Sequence, residues 1–220
     1  MTFYAINGSP RKKWNTDKLL TKSLDGIKSI IPEAKIETIH LYDYTYKGCI
    51  SCFACKKLGS KKYGTCALED DLTPVLEKLS KAEGIIFGSP IYFGNVTGEM
   101  RSFYERLLFP YLTYDNNYSS LAPKKMLTAC IYTMNIKEKE ITTRNYHSFL
   151  DMVEGFIESV FTKPDHVYSC NTYQFSDYSK YKCECFDEKD KKKQLEEQFP
   201  IDCENAFNLG VNLAKKLIIK

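Results

Sequence analysis

Residues 84–98 read Gly84-Ile85-Ile86-Phe87-Gly88-Ser89-Pro90-Ile91-Tyr92-Phe93-Gly94-Asn95-Val96-Thr97-Gly98. GIIFG is short, apolar and bounded by turn residues, as a strand covered on both faces of a parallel sheet has to be. Turn formers come next, and a helical pattern then runs from about Glu99 to Leu108. The same order appears at the amino terminus. Residues 2–7 are β-formers, Gly8-Ser9-Pro10 breaks them, and a helical pattern begins near Thr16 with Leu19, Leu20, Leu24, Ile27, Ile30 and Ile31.

Further strands are expected at Ala34–Leu41, Met126–Met134 and His166–Cys170. Helices are expected at Leu72–Leu79 behind the acidic pair Asp70-Asp71, at Tyr146–Phe161 and at Cys203–Ile218. Strands alternating with helices at this spacing predict a three-layer α/β fold with a doubly wound, five-stranded parallel sheet and right-handed crossovers. The 220 residues suit a single domain spanning 1–220. Within it, Ser176–Gln198 reads as a charged, solvated excursion before the terminal helix, or as a cover for a partner subunit.

Composition narrows the function. Hydrophobic residues make up 43% and charged residues 27%, the balance of a globular protein. No apolar run approaches the roughly 20 residues that span a bilayer. The net charge of +3 is dispersed among nearly as many carboxylates as bases, which gives no nucleic-acid stripe. The start of the chain carries no basic leader, so a cytoplasmic location without a membrane is expected. Nine cysteines, an odd number in a chain of this length, point to reduced thiols rather than a disulfide scaffold.

In an open α/β sheet, ligands gather where the carboxyl ends of the strands meet helix amino termini. In the first such loop, Gly8 to Thr16, small residues let the backbone approach a phosphate, Ser9, Asn15 and Thr16 offer hydrogen bonds, and Arg11 brings charge. Asn15 or Thr16 would equally serve as a plain helix cap. In the second, Pro90, Ile91, Tyr92, Phe93, Gly94 and Asn95 combine an aromatic surface with backbone amides suited to a planar ring. Tyr92 and Phe93 would also suit ordinary packing. The end of the fourth strand, Tyr132 to Asn135, is a third candidate.

GSPRKKWNT after the first strand and GSPIYFGNVTGEMRSFYERL after the third resemble the NAD(P)H-dependent FMN reductases and iron-sulfur flavoproteins of the flavodoxin-like superfamily. The similarity extends through roughly the first 135 residues. It implies a flavodoxin-like fold in which Ser9, Arg11, Asn15 and Thr16 hold the FMN phosphate and Pro90 to Asn95 line the isoalloxazine. Lys13-Trp14 departs from relatives that carry small residues there, and Trp14 would narrow the entrance to the phosphate loop.

Cys49-x2-Cys52-x2-Cys55 is followed by Cys66, with ten residues between the last two. Four thiolates from one loop are a donor set for a [4Fe-4S] cluster or a structural zinc, and they equally suit free or redox-active thiols. The resemblance supports a cluster, although Lys56–Thr65 is a wider gap than those relatives use. Cys130 in an apolar strand reads as a packing residue, Cys183 and Cys185 lack partners, and His40, His147 and His166 show no ligand spacing.

The resemblance implies an oxidoreductase that takes a hydride from NAD(P)H onto FMN and passes reducing equivalents to a quinone, a free flavin, a nitro compound or an electron carrier. No side chain needs to act as acid or base, so none is named catalytic. An electron carrier using FMN and a cluster, and a zinc-stabilised interaction module without catalysis, are the alternatives. The family also implies a homodimer or higher homo-oligomer, for which the aromatic stretch Phe103–Tyr118 offers an apolar patch, unless it is intrachain core.

Overall fold

The computed structural model describes residues 1–219. Five parallel strands, β1 (Thr2–Asn7), β2 (Lys35–His40), β3 (Gly84–Tyr92), β5 (Leu127–Thr133) and β6 (Asp165–Ser169), lie in the order β2-β1-β3-β5-β6. Between β3 and β5 in sequence, the two-residue β4 (Asn95–Val96) turns back antiparallel on the end of β3. The order reverses between β1 and β3, and a ligand crevice opens at such a switch point in a doubly wound sheet.

Each strand feeds both cores by alternation, as a pleat with a period of two requires. Phe3, Ala5, Ile86, Ala129 and Ile131 face one layer, formed by α1 (Asn15–Ile30) and α7 (Phe199–Ile218). Tyr4, Ile6, Phe87, Cys130 and Tyr132 face the other, formed by α2 (Thr73–Leu79), α3 (Gly98–Leu108) and α5 (Tyr146–Val160). This double burial is why GIIFG and LTACIYT read as unbroken apolar runs. The helices α1 and α7 pack backbone to backbone: a Cβ on Gly26 would lie 2.1 Å from the Phe207 carbonyl oxygen, and one on Gly210 would lie 1.9 Å from that of Ser23.

Three points refine the expectations. Of the two readings of the aromatic stretch, the core one holds for its first part, where Phe103, Tyr104, Leu107, Leu108 and Pro110 are buried, while Tyr114 and Tyr118 are exposed. A helical pattern at i, i+3, i+4 turned inward accounts for this. The excursion is not simply solvated, because α6 (Glu188–Lys193) and the π-helical turn Gln194–Gln198 bury Lys191 and Gln194 and run straight into α7, which starts at Phe199 rather than Cys203. A short α4 (Glu138–Thr143), closed by the Glu140 carboxylate accepting from the Lys137 backbone N–H at 3.0 Å, was not apparent from the periodicity. Among the described residues, no helix is long and apolar enough to cross a membrane.

Candidate functional site

The crevice at the switch point is built from four carboxyl ends. Ser9, Arg11, Trp14, Asn15 and Thr16 come after β1, Pro90 to Tyr92 end β3, Thr133 to Asn135 end β5, and Thr172 to Gln174 come after β6. Seven of the ten residues expected to bind the cofactor therefore line one cleft. Phe93, Gly94 and Asn95 do not. They form the tip of the β3–β4 hairpin, with Phe93 and Gly94 both at positive φ (51° and 80°) and the Phe93 ring fully exposed. The Asn95 side chain is turned inward, its Oδ1 accepting from the Val96 N–H at 2.8 Å.

The loop after β1 is held from below. Gly8 N–H donates to the Gly88 carbonyl at 2.8 Å, and the Thr97 hydroxyl donates to the Gly8 carbonyl at 2.8 Å while accepting from Met100 N–H at the start of α3. Gly8 permits this approach, because a Cβ there would lie 2.9 Å from Met100 Cε. The Asn7 side chain joins in, its Oδ1 accepting from Ser9 N–H at 2.8 Å. Loop and hairpin are thus braced against each other.

Neither Asn15 nor Thr16 caps α1. The helix begins at Asn15, the residue in the cap position is Trp14, which makes no side-chain cap bond, and Asp17 in the first turn accepts from the Lys13 N–H at 2.7 Å. The first amides of α1 consequently present partial positive charge beside the cleft. The Thr16 hydroxyl instead meets the Thr133 hydroxyl at 2.8 Å, buried. Arg11 stacks on the Trp14 ring at 3.5 Å and donates to the Gln174 carbonyl at 2.6 Å, and Asn15 Nδ2 donates to the Tyr173 carbonyl at 3.0 Å. Burial works against the Arg11 charge, and nothing in the cleft is a carboxylate that would neutralise it. An uncapped helix end, a guanidinium, an amide donor and close backbone approach together fit a phosphate monoester.

Signals for the post-β6 residues Thr172 to Gln174 were absent from the sequence, since they carry no motif and lie after a strand with only five residues.

The cysteine loop is organised around Arg106 of α3, which is buried and uses all five of its N–H groups. Nε donates to Cys66 Sγ at 2.9 Å, Nη1 to the Lys47 carbonyl and to Asp70 Oδ2 at 2.7 Å, and Nη2 to the Leu68 carbonyl and to Asp70 Oδ1 at 3.1 Å. The paired guanidinium holds the Asp70 carboxyl below its ordinary range against the opposing effect of burial. Asp70 therefore anchors the loop in addition to preceding α2. Lys56 Nζ reaches the carbonyls of Phe109 and Leu112 and lies 4.4 Å from the Phe109 ring, tying the loop to the end of α3. Cys55 is buried, and desolvation raises its thiol; Cys49 and Cys52 are exposed, and Cys66 is half-buried. Ser51 and Phe53 hold left-handed backbone between them. As arranged, Cys49, Cys52, Cys55 and Cys66 do not converge on one point: no group of three or more His, Cys, Asp or Glu side chains among the described residues is placed to hold a metal ion.

A family model described as NADPH-dependent FMN reductase matches residues 1–154. An iron-sulfur flavoprotein of Archaeoglobus fulgidus is 44% identical over 106 residues, 48% of this chain and 48% of that protein. One of Methanocaldococcus jannaschii is 38% identical over 108 residues, 48% of this chain and 51% of that protein. The chain spans about half the length of the curated relatives it matches. Among solved structures, an NAD(P)H:quinone oxidoreductase from Methanothermobacter marburgensis superposes with TM-score 0.66 at 13% identity, covering 97% of this chain and 96% of that one. An azoreductase from Bacillus anthracis gives TM-score 0.66 at 13% identity, covering 96% and 99%. At such identities the likeness is one of fold, and that fold is flavodoxin-like.

Proposed function

The chain belongs to the NADPH-dependent FMN reductase family, and on that premise we propose that it is an oxidoreductase that holds FMN in the switch-point cleft and moves reducing equivalents from NAD(P)H to an acceptor. The observation that carries this reading is the meeting, in one cleft, of the uncapped start of α1 with Arg11 and Asn15 on one side and Pro90, Ile91 and Tyr92 on the other. Ser9, Arg11, Asn15 and Thr16 are the residues to hold the phosphate, through the backbone as much as through side chains. Pro90 to Tyr92 are the wall for the ring, and Phe93, Gly94 and Asn95 are its rim. FMN, when bound, supplies the hydride and single-electron chemistry. The protein's contribution is to orient the ring, to exclude water with Tyr92, Met134 and Tyr173, and to present backbone amides to its edge.

An anaerobic titration decides the matter. The purified chain should take up one FMN per subunit, and NAD(P)H should bleach the flavin bands rapidly. Absence of FMN binding in a folded sample would overturn the proposal. Quinones, free flavins, nitro compounds and protein carriers are the acceptors to compare.

The names of the curated relatives favour a second reading, an electron carrier with a [4Fe-4S] cluster on Cys49, Cys52, Cys55 and Cys66. The donor chemistry suits it, but the thiols as placed do not form the site, so no step is assigned to a cluster. Stoichiometric iron and sulfide in anaerobically prepared protein would establish that reading; flavin bleaching without iron would favour the reductase.

A homo-oligomer is part of the same proposal. Its support is an apolar face on α5, where Phe149, Met152 and Phe156 are exposed next to a groove lined by Tyr104, Leu108 and Leu112. Sedimentation showing a monomer at micromolar concentration would remove it.

A further inference from the structure

The family match ends at residue 154, yet the segment beyond β6 returns to the cleft. Lysine is among the side chains least often buried without a partner. Lys191 is 2% exposed. Its Nζ donates to the Asn135 carbonyl at 2.9 Å and to Asn135 Oδ1, and it lies 5.2 Å from the Phe186 ring. Asn135 lines the cleft at the end of β5. One residue away, Asp190 Oδ2 accepts from Asn171 Nδ2 at 3.0 Å and pairs with Lys137 Nζ at 2.7 Å. Two adjacent side chains of α6 therefore grip both the turn after β5 and the turn after β6.

The chain beyond β6 acts as a strap. Tyr178 is buried, its hydroxyl accepting from Gln174 N–H at 3.1 Å, and the carbonyls of Tyr173 and Gln174 take the donors of Asn15 and Arg11. With the strap in this position the cleft encloses about 130 Å³, short of the roughly 300 Å³ at which small-molecule sites begin. The strap sits where a cofactor phosphate would draw on the same donors.

We propose that Lys191 is a positioning residue for the cofactor cleft: its buried ammonium clamps Asn135 to the strap of residues 171–198, and this fixes the carbonyls of Tyr173 and Gln174 over the phosphate donors Arg11 and Asn15. This rests on the FMN reading for its ligand but not for its geometry. The clamp is strongest with the ammonium charged, because charged donors form about twice as strong a hydrogen bond as neutral ones. Burial pushes Lys191 down to about 8, so the charge is lost within an accessible range. The groups facing it are Asp190 on α6, Lys137 and Glu140 at α4, and the Cys185 thiol. Asp190 and Glu140 are held low by their partners and Lys137 is held high, so these three keep their charge across neutral and mildly alkaline pH.

The test compares the full chain with Lys191→Met, both in a Cys185→Ser background so that the neighbouring thiol is absent from both. Hydrogen exchange without FMN reads the clamp itself: residues 134–137 and 171–175 should lose protection in Lys191→Met while β1 and β3 keep theirs. FMN affinity, read by fluorescence quenching between pH 6.5 and pH 9.5, should rise about tenfold across about pH 8 in the parent as the strap carbonyls release the donors of Arg11 and Asn15, on the scale of one charged hydrogen bond, and be uniformly tighter and flat in the variant. Unchanged exchange, or the same pH profile in both proteins, overturns the clamp. If neither protein binds FMN, the cofactor reading falls, and the exchange result alone supports or overturns the clamp. Should Lys191→Met not fold, Asp190→Asn, which removes the exposed half of the grip, should loosen the same two segments, and their unchanged exchange would overturn the proposal.

Discussion

The hydroxyls of Thr16 and Thr133 lie 2.8 Å apart in a buried contact between residues 117 positions apart in the chain. This bond fixes the start of α1 to the end of β5, and with it the distance between the two sides of the cleft. Thr16→Val leaves the Thr133 hydroxyl without its partner and should cost about 1–3 kcal/mol. Urea denaturation measures it, and FMN affinity should fall with it. Changing both residues to Val should recover part of the stability, since an apolar pair leaves no orphan.

Arg11→Ala removes the only guanidinium lining the cleft. FMN affinity should drop about tenfold to a hundredfold, the range for one charged hydrogen bond to an anion. Riboflavin, which lacks the phosphate, should bind both proteins alike, and calorimetry with the two ligands separates the effects.

Arg106→Met should destabilise the protein by about 3 kcal/mol or more, because it strands the Asp70 carboxylate and removes the support of Cys66 and of the Lys47 and Leu68 carbonyls. Lysine cannot reproduce a planar five-donor fork, so Arg106→Lys should not rescue it. Limited proteolysis should then cut first between residues 47 and 70.

Gly210→Ala should separate α1 from α7, since the new methyl carbon would meet the Ser23 carbonyl. Overpacking of this kind costs about 1–3 kcal/mol. The loss should appear as a lower melting temperature, with FMN affinity retained in the folded fraction because the cleft lies at the strand ends.

His166 Nδ1 lies 3.1 Å from Glu154 Oε2, and this hydrogen bond raises the imidazole above its ordinary value despite burial. A raised histidine contributes stability that is complete below its unfolded value of about 6.5 and is lost as pH climbs through the folded value. The melting-temperature gap between the parent and His166→Gln should therefore be widest in mild acid and close toward alkaline pH. A gap that does not change with pH would contradict the pairing.

The fold was legible because its signals are local. Strands covered on both faces are continuous apolar runs, so GIIFG and LTACIYT identified themselves, and the helices of both layers kept their period. The first loop was legible as one wall of the cleft because Gly8, Arg11 and Asn15 are close in sequence, although their capping geometry was not. The strap was illegible for the opposite reason. DEKDKKK has the composition of a solvated surface, and only the long-range contact of Lys191 with Asn135 reverses that reading. The β3–β4 hairpin escaped because its turn is Phe93-Gly94 rather than an Asn-Gly pair. The convergence of the four cysteines was a matter of sequence spacing alone, and the pull of Arg106 on Cys66 places that thiol by a contact that spacing does not encode.

The hairpin tip also separates folding from recognition. Phe93 stands in left-handed backbone with its ring wholly in solvent, so the chain bears a conformational penalty there and gains no packing in return. Phe93→Asn should accordingly stabilise the fold by about 1 kcal/mol of relieved backbone energy and so raise the melting temperature. A screen for robustness would accept that change, whereas a screen for ligand or subunit capture would reject it if anything stacks on the ring. Position 93 is thus a site where a gain in ruggedness and a loss of affinity can be read from the same variant.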